Sequence, residues 1–273
     1  MKITASEVNK LRQSTGSGMM DCKKALEESG GDYEKAIEIL RKKGQKVASN
    51  RADRESSEGV VLAKVNADNT SGVIISLNCE TDFVARNQDY LSLANDLSEH
   101  ALSFDTIESF LSSTYNNLSV SEKLLEQTGV IGEKIEIGTF KKITAPYVGH
   151  YIHNGNKIAS LIGLSGIIKD ADEISKNISM QVAAMNPIAL DENNVPLEIV
   201  QKEIEIAKDQ LRKEGKPEEM LEKISQGKMK RFFKDNTLIN QSYIKDNSMS
   251  VGDYLKLSDP DLKITDFKRF SLT

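Results

Sequence analysis

Val73-Ile74-Ile75-Ser76-Leu77, running into Asn78-Cys79-Glu80-Thr81-Asp82-Phe83-Val84-Ala85, is the stretch on which the reading of this chain turns. Its first five residues read as a buried strand. Residues 86–104 then read as a helix with Leu91, Ala94, Leu97 and Ala101 on one face. A strand that hands straight on to a helix mounts whatever lies at the joint, and here a carboxylate stands beside a phenyl ring. Two readings of the joint are open. Asp82 can cap the helix while Phe83 packs inward, which the local sequence favours because Asp is a preferred N-cap. Alternatively Phe83 points outward as a wedge with a negative charge at its side, able to enter a partner's groove and disturb a cation or phosphate site there.

Working outward, residues 60–65 and 73–77 flank a polar loop at 66–72, so strand, strand and helix form one β-β-α unit. The pattern returns downstream. Residues 147–153 and 157–164 flank Asn154-Gly155-Asn156, a strong hairpin signal, and a helix follows over 172–185. Two β-β-α units predict an α+β fold with a helix over one face of each sheet. Between them, residues 106–125 read as helix and 129–137 as turn plus strand.

Upstream, Thr4-Ala5-Ser6-Glu7 is a capping box that opens a first helix, with Val8 and Leu11 inward and Gly16 at its end. A second helix carries Met19, Met20, Cys22, Ala25 and Leu26. Asp32 caps a third, closed at Gly44. These residues, 1–44, predict a three-helix bundle resembling the ubiquitin-associated fold, its core too small to bury both Met19 and Met20. Residues 45–58 read as a linker, 59–140 as one core subdomain, and 141–185 with 233–273 as the second. The insert at 186–232 carries Leu197, Val200, Ile204, Ala207 and Leu211 at heptad spacing, then Gly215-Lys216-Pro217, which predicts an antiparallel coiled-coil hairpin.

Composition narrows the function. The chain has 273 residues, 28% of them charged, and a net charge of −5, which argues against nucleic acid as a direct partner. Basic runs at 41–54 and 228–234 read as solvated faces. Cys22 and Cys79 read as free thiols, and no apolar leader precedes them, which predicts a cytoplasmic protein. The apolar stretch at 158–168 is too short to cross a bilayer, so no membrane partner is expected. His150 and His153 fall on opposite faces of a strand and cannot share a metal there, and His100 has no ligand one turn away. Cys79 reads as a small buried residue rather than a nucleophile. Gly16-Ser17-Gly18 lacks the preceding strand and the lysine of a phosphate loop. No catalytic residues, metal or cofactor are expected, and binding is the better class than enzyme.

Several motifs together carry a resemblance. Ile3-Thr4-Ala5-Ser6, Thr15-Gly16-Ser17-Gly18-Met19-Met20-Asp21-Cys22-Lys23-Lys24-Ala25-Leu26, Asn78 to Ala85 as quoted above, Val182-Ala183-Ala184, Gly215-Lys216-Pro217 and Gly227-Lys228-Met229-Lys230 occur in the order found in bacterial elongation factor Ts, the nucleotide exchange factor of elongation factor Tu. The chain resembles that family nearly end to end. The resemblance implies that Asp82 and Phe83, framed by Thr81 and Val84, project into the GTPase domain of elongation factor Tu and dislodge the magnesium ion beneath its guanine nucleotide. It further implies partner contacts at Arg12, Met19, Met20, Lys23, Ile131, Gly132 and His153, and a hairpin that in some relatives joins two copies into a homodimer. Departures accompany it: Glu80 and Gln181 stand where the family often has glutamine and histidine, and many members continue into another helix past the position of Thr273. An interaction adaptor built on the N-terminal bundle, or an RNA-binding factor built on the basic runs, leaves residues 81–84 and Met19-Met20 without a role.

Overall fold

The computed structural model describes residues 3–272. They form two compact units: one holds the chain up to Leu62 together with Ile75–Phe140, the other holds Ala63–Ile74 and Lys141–Ser271.

The first unit begins with helices α1 (Ala5–Thr15), α2 (Met19–Glu28) and α3 (Tyr33–Asn50). The capping box closes as the sequence predicts, with the Glu7 amide donating to Thr4 Oγ1 at 3.3 Å and the Thr4 amide to Glu7 Oε2 at 2.8 Å. Gly16, at φ 69°, ends α1 in the left-handed conformation that glycine adopts without strain. Val8, Leu11, Cys22, Ala25, Leu26 and Ala36 make the core of the three helices.

Strands β1 (Glu58–Val65) and β2 (Ser71–Cys79) come next, then α4 (Asp82–Ala85), α5 (Gln88–Ala101) and α6 (Ile107–Ser112). A small hairpin, β3 (Thr114–Tyr115) and β4 (Leu118–Ser119), leads to α7 (Val120–Ile131) and β5 (Glu136–Thr144). The main strands lie in the order β1-β2-β5. Three expectations need correction here. The helix predicted at 86–104 is two helices, because Asn87 leaves helical geometry and caps α5, accepting the amides of Asp89 at 2.8 Å and Tyr90 at 3.3 Å. The helix predicted at 106–125 is interrupted, because Asn116 and Asn117 adopt φ of 51° and 65°, the left-handed turn that asparagine tolerates better than most residues. Gly129-Val130-Ile131 is the end of α7 rather than a turn, and Gly132 at φ 81° closes that helix.

A fourth correction concerns Gly44, which sits inside α3 and does not end it. Residues 45–50 of the expected linker at 45–58 are therefore helix. The reason lies in α7, where a Cβ added to Gly129 would stand 2.3 Å from the Gly44 Cα. Two glycines let the backbones of α3 and α7 touch, which outweighs the roughly 1 kcal/mol that each loses in a helix interior.

The second unit carries β6 (Tyr147–Ile152), β7 (Ile158–Leu164) and α8 (Ala171–Met185), then the long helices α9 (Leu197–Lys213) and α10 (Glu218–Asn236). Short strands β8 (Ser242–Tyr243) and β9 (Asp246–Ser250) precede α11 (Val251–Ser258) and β10 (Ile264–Ser271). The sheet order is β10-β7-β6, with β10 antiparallel to β7 from Ile264 opposite Leu164 to Ser271 opposite Ile158. Its core joins Ile162 and Leu164 to Ile174, Ile178 and Val182 of α8 and to Leu238, Val251 and Leu255. β6 ends at Ile152, so His153 lies in the hairpin turn rather than in the strand. Gln181 is fully buried on α8, where it donates to Gln241 Oε1 at 3.2 Å and the Ser242 carbonyl at 3.1 Å and accepts the Ile244 amide at 2.8 Å. That network satisfies its amide. Ala207, Leu211, Leu221 and Met229 are the buried apolar residues of α9 and α10, and Leu197, Ile206 and Met220 remain exposed. Among the described residues no helix is long and apolar enough to cross a membrane.

Candidate functional site

The joint after β2 is built as a projecting corner. Thr81 is extended, at φ −127° and ψ 153°, and it is Thr81, not Asp82, that caps α4, accepting the Val84 amide on its hydroxyl at 3.5 Å. The capping reading of Asp82 is thereby corrected. Asp82 is the first helical residue, and its carboxylate meets Arg86 one turn on, at 2.9 Å, in a half-exposed pair. Such a pair is worth little in water, so the carboxylate can be given up to another cation at small cost.

Phe83 is 84% exposed, which overturns the inward reading. In an α-helix residues two apart point about 200° from one another. Ala85 is the buried residue of α4, so Phe83 must face away. The interior behind the joint is already occupied. Cys79 and Tyr90 are buried there, and the Tyr90 hydroxyl donates to the Leu77 carbonyl at 2.6 Å. Burial pushes that hydroxyl's pKa far above its ordinary value, so it stays a donor.

Two carboxylates hold the corner. Glu133 Oε2 accepts the amides of Glu80 at 3.1 Å and Thr81 at 3.0 Å, and its Oε1 accepts the Thr81 hydroxyl at 2.7 Å. In return Glu80 Oε1 accepts the Lys134 amide at 2.7 Å. Arg51, just past α3, donates to both Glu80 oxygens at 2.7 and 2.8 Å. Burial works to raise the Glu80 pKa, but the Lys134 amide and the Arg51 guanidinium outweigh it and hold the carboxyl below its ordinary value. The extra negative charge expected beside the wedge is therefore turned inward and paired.

A groove of about 680 Å³ runs beside the ring, lined by Phe83, Val84, Tyr90, Val130, Ile131 and, from the turn after α1, Gly16. Ile131 and Gly132 are half-buried at the end of α7, and Ile131 lines the groove. Met19 and Met20 open α2 and are 59% and 62% exposed, because Cys22, Ala25 and Leu26 fill the small core. Arg12 and Lys23 are exposed on α1 and α2. The first unit thus holds all the expected contact residues except His153, which belongs to the second unit, exposed, with its Nδ1 3.1 Å from the Tyr151 hydroxyl. Among the described residues no group of three or more His, Cys, Asp or Glu side chains is arranged to hold a metal ion. Glu133 and Arg51 escape a reading of the sequence, since each acts on a partner far along the chain and neither sits in a local pattern.

The elongation factor TS family profile matches residues 80–273. Full-length relatives extend the match to the N-terminal helices. The chain is 63% identical to an elongation factor Ts of Christiangramia forsetii, with 99% of each chain covered. It is 59% identical to that of Flavobacterium psychrophilum, covering 99% of this chain and 98% of the relative. The corresponding protein of Porphyromonas gingivalis shares 38% over 100% of this chain and 99% of its own. An outward phenyl ring on a clamped corner, with two exposed methionines in the same unit, thus sits in a sequence matched along its whole length, and the chain belongs to the elongation factor Ts family.

Proposed function

We propose that the chain is a guanine nucleotide exchange factor for elongation factor Tu in translation elongation. It binds the GDP-bound factor, sets Asp82 and Phe83 into the GTPase domain, displaces the magnesium ion there and promotes release of GDP so that GTP can bind. Family membership supports the class of activity. The observation that carries the mechanism is Phe83, an aromatic ring 84% exposed on a corner held by Glu133. With the metal gone, the charge of the β-phosphate is poorly compensated and the nucleotide is held weakly. The chain performs no covalent step of its own and needs no cofactor in this reading.

Linkage sets the scale of the task. Weakening GDP binding by about 10⁴-fold requires about 5.5 kcal/mol of differential affinity for the nucleotide-free partner. Burying one phenyl ring supplies only about 1.5–3 kcal/mol. A wider interface must supply the rest, and Arg12, Met19, Met20, Lys23, Ile131, Gly132 and His153 are the residues we assign to it. Methionine suits such a surface because its flexible thioether fits irregular grooves. In this scheme the three N-terminal helices act as a ubiquitin-associated-like docking module, and the two β-β-α subdomains carry the wedge and the His153 hairpin.

Release of a fluorescent GDP from elongation factor Tu, chased with unlabelled nucleotide, tests the reading. The chain accelerates release. Phe83→Ala lowers the accelerated rate by about 10- to 100-fold, the kinetic equivalent of losing the ring's burial, and leaves the circular dichroism spectrum unchanged. Acceleration that survives the substitution in full removes Phe83 from the mechanism.

A further inference from the structure

Three donors at the wedge's corner turn to one side chain, Glu133, to which the exchange scheme gives no task. The amides of Glu80 and Thr81 and the Thr81 hydroxyl all end on its carboxylate, at 3.1, 3.0 and 2.7 Å. The Lys134 amide answers by donating to Glu80 at 2.7 Å. Two segments 53 positions apart thus exchange side-chain-to-backbone bonds, and Arg51 closes the set on the Glu80 side. One segment carries Phe83 and the other carries Ile131 and Gly132, and Phe83 and Ile131 line the same groove.

A helix as short as α4 cannot hold its own direction. Its backbone closes a single turn, with the Ala85 amide on the Thr81 carbonyl at 3.3 Å, the Arg86 amide on the Asp82 carbonyl at 3.2 Å and the Asn87 amide on the Val84 carbonyl at 2.9 Å, and an isolated turn is unfavourable to form. A loose corner would have to be ordered again each time the ring enters the partner, and that entropy would subtract from the push available to the ring.

We propose that Glu133 is a positioning residue for exchange: its carboxylate fixes the cap of α4 and so aims Phe83 relative to the Ile131 turn, without itself touching the nucleotide site. The proposal rests on the exchange reading above. It predicts that Glu133→Ala keeps its affinity for elongation factor Tu, because the remaining contact surface is intact, but loses maximal activity.

The experiment measures stimulated GDP release over a range of exchange-factor concentrations for the full chain and for Glu133→Ala, Glu133→Gln, Phe83→Ala and the Glu133→Ala/Phe83→Ala double variant. Glu133→Ala is expected to lower the rate at saturation about tenfold, the factor that one charge-assisted hydrogen bond is worth in rate, with the half-saturating concentration little changed. Glu133→Gln, which keeps one acceptor oxygen, recovers part of the loss, and the double variant is no slower than Phe83→Ala. Hydrogen exchange of the Glu80 and Thr81 amides, read without any partner, is faster in Glu133→Ala than in the parent chain. A parent-like rate at saturation, unchanged amide protection, or a double variant slowed by the product of the single effects overturns the proposal. Should Glu133→Ala fail to fold, the nearly isosteric Glu133→Gln carries the same comparisons. Parent-like release by Phe83→Ala would sink the wedge itself, whereas a loss in Phe83→Ala with none in Glu133→Ala would sink only the anchor.

Discussion

At the scale of single residues, the corner shows how a carboxylate can be absorbed by its neighbours. Glu80 adds a carboxylate next to Asp82, yet the Arg51 guanidinium and the Lys134 amide turn it away from the wedge and neutralise it. Its folded carboxyl titrates below the ordinary value of 4.5, so the ionised form is favoured by folding. The sign of the pH effect follows. The stabilisation is full above about 4.5 and is lost as pH falls through the lower folded value. Glu80→Gln should destabilise the chain at pH 7 by on the order of 1 kcal/mol, the net worth of a charge-assisted bond. The gap between the two proteins should close toward pH 3. Urea melts of both at the two values check this, and a gap that widens in acid contradicts the assigned pairing. Thr81 and Asp82 carry a second lesson. Asp has the stronger intrinsic claim to the cap, but the hydroxyl that Glu133 already holds in place takes it.

At the scale of elements, the contact between α3 and α7 accounts for a glycine inside α3. Gly44 and Gly129 meet where a side chain on Gly129 would collide, since its Cβ would lie 2.3 Å from the Gly44 Cα. Gly129→Ala should therefore destabilise the first unit by about 1–3 kcal/mol through overpacking, in spite of alanine's better helix propensity. Gly227, inside α10, has no atom within 4 Å of its would-be Cβ. Gly227→Ala should stabilise by about 0.5–1 kcal/mol. Thermal melts of the two variants separate the effects, and a stabilised Gly129→Ala would mean that α3 and α7 do not touch at that point. The same pair explains why local sequence predicts an end of α3 at Gly44 and the structure carries the helix on to Asn50. A glycine after a helical run marks a terminus on local grounds, and only the second glycine, far along the chain, shows that it marks a crossing. α11 escaped for a simpler reason, because Val251-Gly252-Asp253-Tyr254 begins with residues of low helix propensity and depends on the Ser250 cap and on burial of Val251 and Leu255.

At the scale of the whole molecule, the proposed exchange reading divides binding and prying among different residues. Phe83 stands exposed at one corner, whereas Met19 and Met20 expose apolar surface on another element of the same unit. Met19→Ala/Met20→Ala should therefore raise the concentration needed for half-maximal nucleotide release by about 10-fold or more, since each buried methionine is worth roughly 1.5–3 kcal/mol. The rate at saturation should stay near that of the parent. Phe83→Ala should show the reverse split. Concentration series of the GDP chase distinguish the two, and a fall in the saturating rate with the methionine pair replaced would show that the module takes part in the displacement step.

Much of this was legible in the chain itself. The capping box at Thr4, the hairpin at Asn154-Gly155 and the apolar spacing from Val200 to Leu211 are local facts, set by propensity and periodicity within a few residues, although Leu197, expected at the head of that seam, is exposed. The α+β class, the family and the Thr81–Val84 segment follow from those patterns and their order. The direction of Phe83 does not, because it follows from the burial of Ala85, Cys79 and Tyr90 around the joint; the continuation of α3 and the clamp by Glu133 do not, because they depend on groups some 50 to 85 positions away, Glu133 on Thr81 and Gly129 on Gly44. Local sequence sets what a segment can form, but the free energy that selects among those forms comes from packing and hydrogen bonds which exist only once distant segments have met.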